Sequence, residues 1–244
     1  MMYLLRSLGT IGTIRVANEQ RHDCMPSILE LRPDEVKAYF LESSNYVNFD
    51  LPPYFDFTDI LQATSAYIGN KGVHEYFRST DLNGKSVKMN PKETEGVNYK
   101  LIGNKDGEFG WRPYEIIHPA LYVELVNAIT KPTSWALLKD RFTRYEQSGV
   151  RCESIPFKSE DEEKHKAHQV KLWWTNVEQA SLKLSLKYKY VYDVDVSDCY
   201  GSIYTHSIGW AIHGKQKMKD NRNSTEYLGN KIDWAIRLTG QYKR

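Results

Sequence analysis

Two carboxylates lie two residues apart in a stretch of aromatic and β-branched residues. Asp193 and Asp195 alternate with Tyr192, Val194 and Val196, and this composition predicts a β-strand. Because side chains alternate between the faces of a strand, both carboxylates are expected on one face and the apolar side chains on the other. Carboxylates on an apolar strand need a cation, a hydrogen-bond partner or solvent. The pattern therefore predicts either a metal-binding site or an edge strand with surface acids.

The residues that follow Asp195 favour the metal-binding interpretation. The run DVSDCY, from Asp195 to Tyr200, resembles the first catalytic motif of reverse transcriptases, in which an aspartate is followed five residues later by an aromatic residue. The continuation GSIYTHSI and then WAIHGK, ending at Lys215, is similar to one bacterial branch of that family, the defence-associated, abortive-infection type enzymes. The resemblance covers most of the chain from Pro52 onward and is specific from the helix predicted after residue 159 to Lys215.

This resemblance implies an RNA-directed DNA polymerase that uses a two-metal mechanism of nucleotidyl transfer. The Asp195 carboxylate and the Val196 carbonyl would supply oxygen ligands to Mg²⁺, which prefers such oxygens. The backbone N–H groups of Asp198 and Cys199 would bind the triphosphate. Tyr200 would lie against the sugar and exclude a 2′-hydroxyl. Asp193 does not match the catalytic position and is expected only to raise the local negative charge.

Basic residues on both sides of this motif are candidates for binding nucleotide or nucleic acid. In the resembled family, basic residues of the fingers hold the triphosphate and the template through charge-assisted hydrogen bonds. By position, the candidates for nucleotide binding are Arg151 and Lys158. A basic loop after the motif is expected to contact nucleic-acid phosphates and contains Lys215, Lys217, Lys219 and Arg222. For both groups the alternative is a set of solvated surface charges.

Local signals predict the elements that position these residues. A β-hairpin is expected around Asp106 and Gly107, because Asp-Gly is a strong turn signal between strands. Strands are also expected from Gly149 to Lys158 and across residues 190–196. Helix-start signals and apolar periodicity predict helices after Pro33, after Thr58, over 117–130, over 134–147, after the capping box at 159–162, through His206 and His213, and over 228–239. Packing is the expected role of His206 and His213.

Together these elements predict an α+β fold that is helix-rich and contains a β-hairpin and a palm strand. The resemblance implies the fingers of a right-hand polymerase followed by the first part of its palm. The N-terminal extension and fingers are expected over 1–187, and the partial palm over 188–244. RNA template and DNA product are the partners that this assignment implies.

Composition limits the cellular setting more than it limits the function. The 244 residues include 33 basic and 31 acidic ones, so the overall charge does not indicate a nucleic-acid-binding protein. The segment from Ser207 to Arg244 is more basic, with eight Lys or Arg against three Asp or Glu. The three cysteines have no paired spacing, which is typical of a reducing cytosol. No apolar run is long enough to cross a bilayer. We therefore expect a cytoplasmic protein without a membrane partner.

One feature of the resembled family is missing from this sequence. In that family a Tyr-x-Asp-Asp turn supplies the remaining metal-binding carboxylates, and the sequence contains no adjacent pair of aspartates. We therefore expect a truncated member that holds Mg²⁺ poorly and is inactive by itself, unless a second polypeptide completes the palm. Two alternatives stay open. One is a non-enzymatic nucleic-acid-binding module of an anti-phage defence complex, and the other is an unproductive fragment with exposed palm strands.

Overall fold

The computed structural model describes residues 26–47, 49–69, 71–75, 77–91, 94–104, 107–108, 110–149, 152–158, 165–195 and 203–239. Its elements are α1 Pro33–Phe40, α2 Ser43–Tyr46, α3 Thr58–Ile68, β1 Arg78–Thr80, β2 Ser86–Lys88, β3 Tyr99–Asn104, β4 Trp111–Ile116, α4 Pro119–Thr130, α5 Pro132–Glu146, α6 His165–Ser185, α7 His206–His213, α8 Lys215–Asp220 and α9 Leu228–Leu238. Helices combined with antiparallel strand pairs agree with the predicted α+β class at this coarse level.

The chain divides into two compact units. Unit 1 comprises Met1–Arg32 and Leu138–Ser202, and unit 2 comprises Pro33–Leu137 and Ile203–Arg244. Unit 2 therefore joins an N-terminal segment to the C-terminal one, and the division falls inside α5. The division into fingers over 1–187 and a partial palm over 188–244 stays a prediction.

The first helices of unit 2 begin and end at the signals in the sequence. Helix α1 opens at Pro33, whose missing N–H is harmless in the first turn, and acidic side chains follow it. Helix α3 begins at Thr58, where the Asp56 carboxylate accepts a hydrogen bond from the Thr58 N–H at 2.8 Å. It ends at Gly69, whose φ of 49° lies in the region that glycine tolerates best. The predicted helices over these segments are confirmed.

Helix α4 lies at the centre of the core of unit 2. It packs against α1, α3 and α9, and its Leu121 and Val123 are fully buried. His118 caps its first turn by accepting a hydrogen bond from the Ala120 N–H at its Nδ1 atom, at 3.1 Å. The buried cluster around α4 contains Leu41, Leu61, Ile68, Val73, Ala120, Leu121, Val123, Val126 and Leu238.

Two antiparallel hairpins precede α4. Strand β3 pairs with β4 from Tyr99 opposite Ile116 to Asn104 opposite Trp111, which confirms the predicted hairpin. Gly107 has a φ of 84° between these strands, as the Asp-Gly turn signal predicts. Strands β1 and β2 form a second, shorter pair.

Three helices form the C-terminal part of unit 2. Helices α7 and α9 approach so closely that a Cβ built on Gly229 would lie 2.3 Å from the Cα of Gly209. Helix α8, Lys215–Asp220, lies between α7 and α9 in the sequence. The prediction of a basic loop is therefore wrong for this segment, which is helical. The buried Met218 of α8 packs beside Gly209.

In unit 1, the long helix is confirmed and the predicted strands are wrong. Helix α6 spans His165–Ser185. The described residues from 188 to 195 form no regular strand, and only Asp193 takes part in a β-bridge. In the segment predicted as a strand from Gly149 to Lys158, Phe157 makes an isolated bridge to Ser27. A strand needs a continuous hydrogen-bonded neighbour, and sequence alternation alone does not supply one. The capping box at 159–162 lies outside the described residues.

Candidate functional site

The structure describes the predicted catalytic aspartate and leaves the rest of its motif outside the described residues. Asp195 and its neighbour Asp193 are both exposed to solvent. The other predicted nucleotide or metal contacts outside the described residues are Val196, Asp198, Cys199, Tyr200 and Arg151. Lys158 is half-buried, and its backbone N–H donates to the Pro26 carbonyl at 2.9 Å. Its predicted role in nucleotide binding stays a prediction.

The described residues do not assemble a Mg²⁺ site around Asp195. Across the described ranges, no group of three or more His, Cys, Asp or Glu side chains is placed to hold a metal ion. Mg²⁺ demands near-octahedral coordination by oxygens, and the exposed carboxylates of Asp193 and Asp195 fall short of that set.

A cleft in unit 2 brings together residues from distant parts of the sequence. It has a volume of about 1100 Å³ and lies among α1, α4, α7, α8 and α9. Its basic lining residues are Lys37, Lys131, Lys219, Arg222, Lys231 and Arg237. Its acidic lining residues are Glu124 and Asp233. With six cations against two carboxylates, the cleft has a positive electrostatic potential that attracts anions.

Both acids of the cleft are engaged by the protein. The Glu124 Oε2 atom accepts a hydrogen bond from the Val73 N–H at 3.0 Å and so joins α4 to the turn at 73–75. Asp233 is buried in the wall, and its Oδ2 atom lies 3.3 Å from His206 Nδ1 and 3.8 Å from Arg237 Nη1. These contacts hold both carboxylates in place in the wall of the cleft.

Two buried polar atoms of this wall have no hydrogen-bond partner among the residues that the structure describes. They are Oδ1 of Asp233 and Nε of Arg237, and both residues line the cleft. Buried polar atoms are nearly always hydrogen-bonded in folded proteins, because an unpaired one costs about 1–3 kcal/mol. Unpaired atoms in a cleft wall are typical of a ligand-binding or water-binding position.

Aromatic rings lie beside the cations of the cleft. Tyr204 is exposed and lies next to Trp210, with 5.5 Å between their ring centroids. On another wall, Trp234 contacts the His74 ring at 4.9 Å. Aromatic faces next to basic side chains are the combination that stacks bases and binds phosphates.

The four predicted nucleic-acid-binding cations fall into two pairs. Lys215 Nζ lies 5.0 Å from the centre of the Trp210 ring, and Lys217 Nζ lies 5.2 Å from the centre of the Tyr227 ring. Lys219 and Arg222 line the cleft. The second pair therefore faces a concave site, whereas the first pair makes cation–π contacts with neighbouring rings.

Sequence reasoning missed the buried contact at Asp233. Asp233 and Arg237 are four residues apart on a helix, a spacing that favours an ion pair, and Asp233 directly follows the buried Ile232. The four-residue spacing of an acid and a base beside an apolar residue was the sequence signal that could have indicated this contact. His206 and His213 were expected only to pack. His213 does contact α9, since its Nε2 accepts a hydrogen bond from the Gly229 N–H at 3.2 Å.

No protein-family model matches the sequence, and no curated protein is significantly similar to it. Among the described helices, none is both long and apolar enough to cross a membrane.

Proposed function

We propose that this chain is a member of the reverse transcriptase family and contributes Asp195 to the metal site of an RNA-directed DNA polymerase. The observation that supports the proposal is the spacing of Asp195 and Tyr200 within the run that continues to Lys215. In this proposal the chain forms polymerase fingers and the first part of a palm, and it binds an RNA template and a DNA product. The unpaired spacing of the cysteines supports a cytoplasmic location.

The roles proposed for the motif divide between metal and nucleotide. Asp195 and the Val196 carbonyl contribute oxygen ligands for Mg²⁺, and further carboxylates are needed to complete the site. Asp198 and Cys199 bind the triphosphate through backbone N–H groups, and Tyr200 selects deoxynucleotides. The exposure of Asp195 is compatible with access by a partner or substrate.

Primer extension on an RNA template with Mg²⁺ tests this proposal. The isolated chain is expected to extend primers no better than background, because the sequence has no Asp-Asp pair to complete the metal site. Supplied with a polypeptide that carries a Tyr-x-Asp-Asp turn, it is expected to gain activity that Asp195→Asn abolishes. The matched control is Asp193→Asn, which removes an equal charge two residues away. Activity that survives Asp195→Asn would refute the role of Asp195.

A second candidate function is a non-enzymatic nucleic-acid-binding module of an anti-phage defence complex. The observation that favours it is the excess of cations over acids in the cleft of unit 2. Its test is fluorescence anisotropy of labelled single-stranded RNA over a series of salt concentrations. Affinity that falls steeply with salt, without any primer extension in the complemented assay, supports this candidate. Binding that does not change with salt argues against it.

A further inference from the structure

We propose that the cleft of unit 2 binds the phosphate group at the 5′ end of a nucleotide or of an RNA strand. The ligand class is a compact, multiply charged phosphate joined to a nucleoside. None of the cleft residues belongs to the motif from Asp195 to Tyr200, so this inference goes beyond the proposed polymerase function and does not depend on it. Three observations about the cleft support it.

The first observation is the concentration of positive charge around one concave volume. Six cationic side chains from α1, α8, α9 and the loops beside them line the same cleft. An internal phosphodiester carries a single charge and the next one lies a nucleotide away, whereas a terminal triphosphate concentrates its charges in a small volume. A concave cluster of cations therefore matches a terminal phosphate group better than an extended backbone.

The second observation is the arrangement around Asp233. This buried carboxylate lies between His206 and Arg237, whose side chains are partly exposed at 40% and 37%. Contact with a fixed, buried carboxylate restricts the rotamers of both side chains, so less conformational entropy is lost when they bind a ligand. Asp233 is thus a positioning residue, and Arg237 and His206 are the groups that it holds at the cleft wall.

The third observation is a partly buried cation in the wall of the cleft, Lys37. Burial lowers the pKa of Lys37, because its ammonium loses water in the wall of the cleft. A phosphate would restore the stabilisation that water no longer gives. The exposed Tyr204 ring and the half-buried Trp234 offer surfaces for the attached base. The volume of about 1100 Å³ is large enough for a nucleotide.

The test compares three probes by their affinity for the full chain. They are a short single-stranded RNA with a 5′-triphosphate, the same RNA with a 5′-hydroxyl, and ATP. Fluorescence anisotropy measures the RNAs, and competition against the triphosphate RNA measures ATP. We expect the triphosphate RNA to bind more tightly than the hydroxyl RNA. If ATP competes with the triphosphate RNA, a free nucleotide is sufficient for binding to the cleft. If ATP does not compete, the ligand is the 5′ end of an RNA strand.

A pair of double variants separates the cleft from general surface charge. Arg222→Gln with Lys231→Gln removes two cleft cations, and Arg112→Gln with Lys85→Gln removes an arginine and a lysine elsewhere in unit 2. We expect the cleft variant to lose roughly 10- to 100-fold in affinity for the triphosphate RNA, because hydrogen bonds to charged groups are strong. The control variant is expected to stay close to the unmodified chain.

Three results would overturn the proposal. The first is equal affinity for the triphosphate and hydroxyl RNAs, which would indicate backbone binding. The second is an equal loss in the two double variants, which would indicate non-specific attraction. The third is no binding of any of the three probes at low salt. None of these results depends on primer extension, so this proposal and the polymerase proposal fail separately.

Discussion

Helices α4 and α6 both carry apolar residues at helical spacing, but their surroundings differ. In α4, Leu121 and Val123 are fully buried among α1, α3 and α9. In α6, Val170 is 57% exposed and Leu182 is 56% exposed. No described side chain of α6 is buried. Apolar periodicity therefore predicts that a helix forms, whereas burial depends on which other elements pack against it.

The same contrast holds for the two units as a whole. The buried apolar residues of the described chain lie in unit 2, with Ile28 as the exception in unit 1. The motif that most resembles a catalytic one falls in unit 1. The described residues that lead into it, 188–195, are exposed and form no regular strand. The cleft with polar and cationic walls lies in unit 2, where the core holds its residues in place. Side chains are therefore held in fixed positions where a packed core supports them, as in the cleft of unit 2.

The largest expected effect comes from removing the same side chain in each helix. Leu121→Ala is expected to lower the free energy of unfolding by about 2–5 kcal/mol, because it leaves a cavity in a packed core. Leu182→Ala is expected to change it by less than about 0.5 kcal/mol, because the side chain is more than half exposed. Urea unfolding followed by circular dichroism measures both. Equal losses would show that α6 is packed as tightly as α4.

The next effect tests how closely the helices of unit 2 pack. Gly229→Ala is expected to destabilise the protein by about 1–3 kcal/mol, because its Cβ would collide with the backbone of Gly209. Gly209→Ala is the matched control. Its Cβ would meet the flexible end of Met218 at 3.2 Å, and the gain in helix propensity offsets this contact. We expect a change within about 1 kcal/mol, measured by thermal unfolding. A larger loss for Gly209→Ala would contradict the packing at this crossing.

A third comparison sets a buried ion pair in unit 2 against an exposed one in unit 1. Asp233→Ala is expected to cost about 1–3 kcal/mol, because it leaves the Arg237 side chain at the wall without its carboxylate. Asp140→Ala breaks the exposed pair with Arg144, which joins residues four apart on α5, and is expected to cost less than about 0.5 kcal/mol. Urea unfolding in low and high salt measures both. Salt is expected to reduce only the smaller effect, and an equal salt response would count against the burial of Asp233.

Predictions that depend on residues close together in the sequence were confirmed more often than those that depend on distant residues. Pro33 and Gly69 mark helix ends, and Gly107 marks the hairpin turn, because each acts on the backbone within a few residues. The expected cap at Thr58 is wrong, because Phe57 is the cap residue and the Thr58 Oγ1 atom accepts a hydrogen bond from the distant Ser43 N–H at 3.2 Å. Residues 190–195 alternate like a strand, yet a strand needs a neighbouring strand for its hydrogen bonds, and local sequence does not specify one.

The candidate cleft was the hardest feature to predict. Lys37 and Lys231 lie far apart in the sequence, and only the packing of α1, α4 and α9 brings them to one cleft. The sequence shows the basic segment around Arg222 as a cluster of charges. It does not show that residues of α1, α4 and α9 form a cleft with this segment. The burial of Asp233 depends on the contact between α7 and α9, so the acid resembled a surface residue on the helix.

The smallest expected effect is a pH dependence at the start of α4. Burial lowers the pKa of His118 below its ordinary value of 6.5, and its neutral Nδ1 accepts the capping hydrogen bond from the Ala120 N–H. As the pH falls below the unfolded-state value, the unfolded chain takes up the proton first. The stability from His118 is therefore present above that value and is lost as the pH falls towards the folded-state pKa.

The matched variant for this effect is His118→Asn, which keeps a good capping side chain that does not titrate in this range. Urea unfolding at about pH 7.5 and about pH 5.5 brackets the ordinary histidine value. The unmodified chain is expected to lose more stability on acidification than the variant, because only the histidine must give up its acceptor when it is protonated. If both proteins lose stability equally, other groups control the acid response, and the cap of α4 does not couple the core of unit 2 to pH.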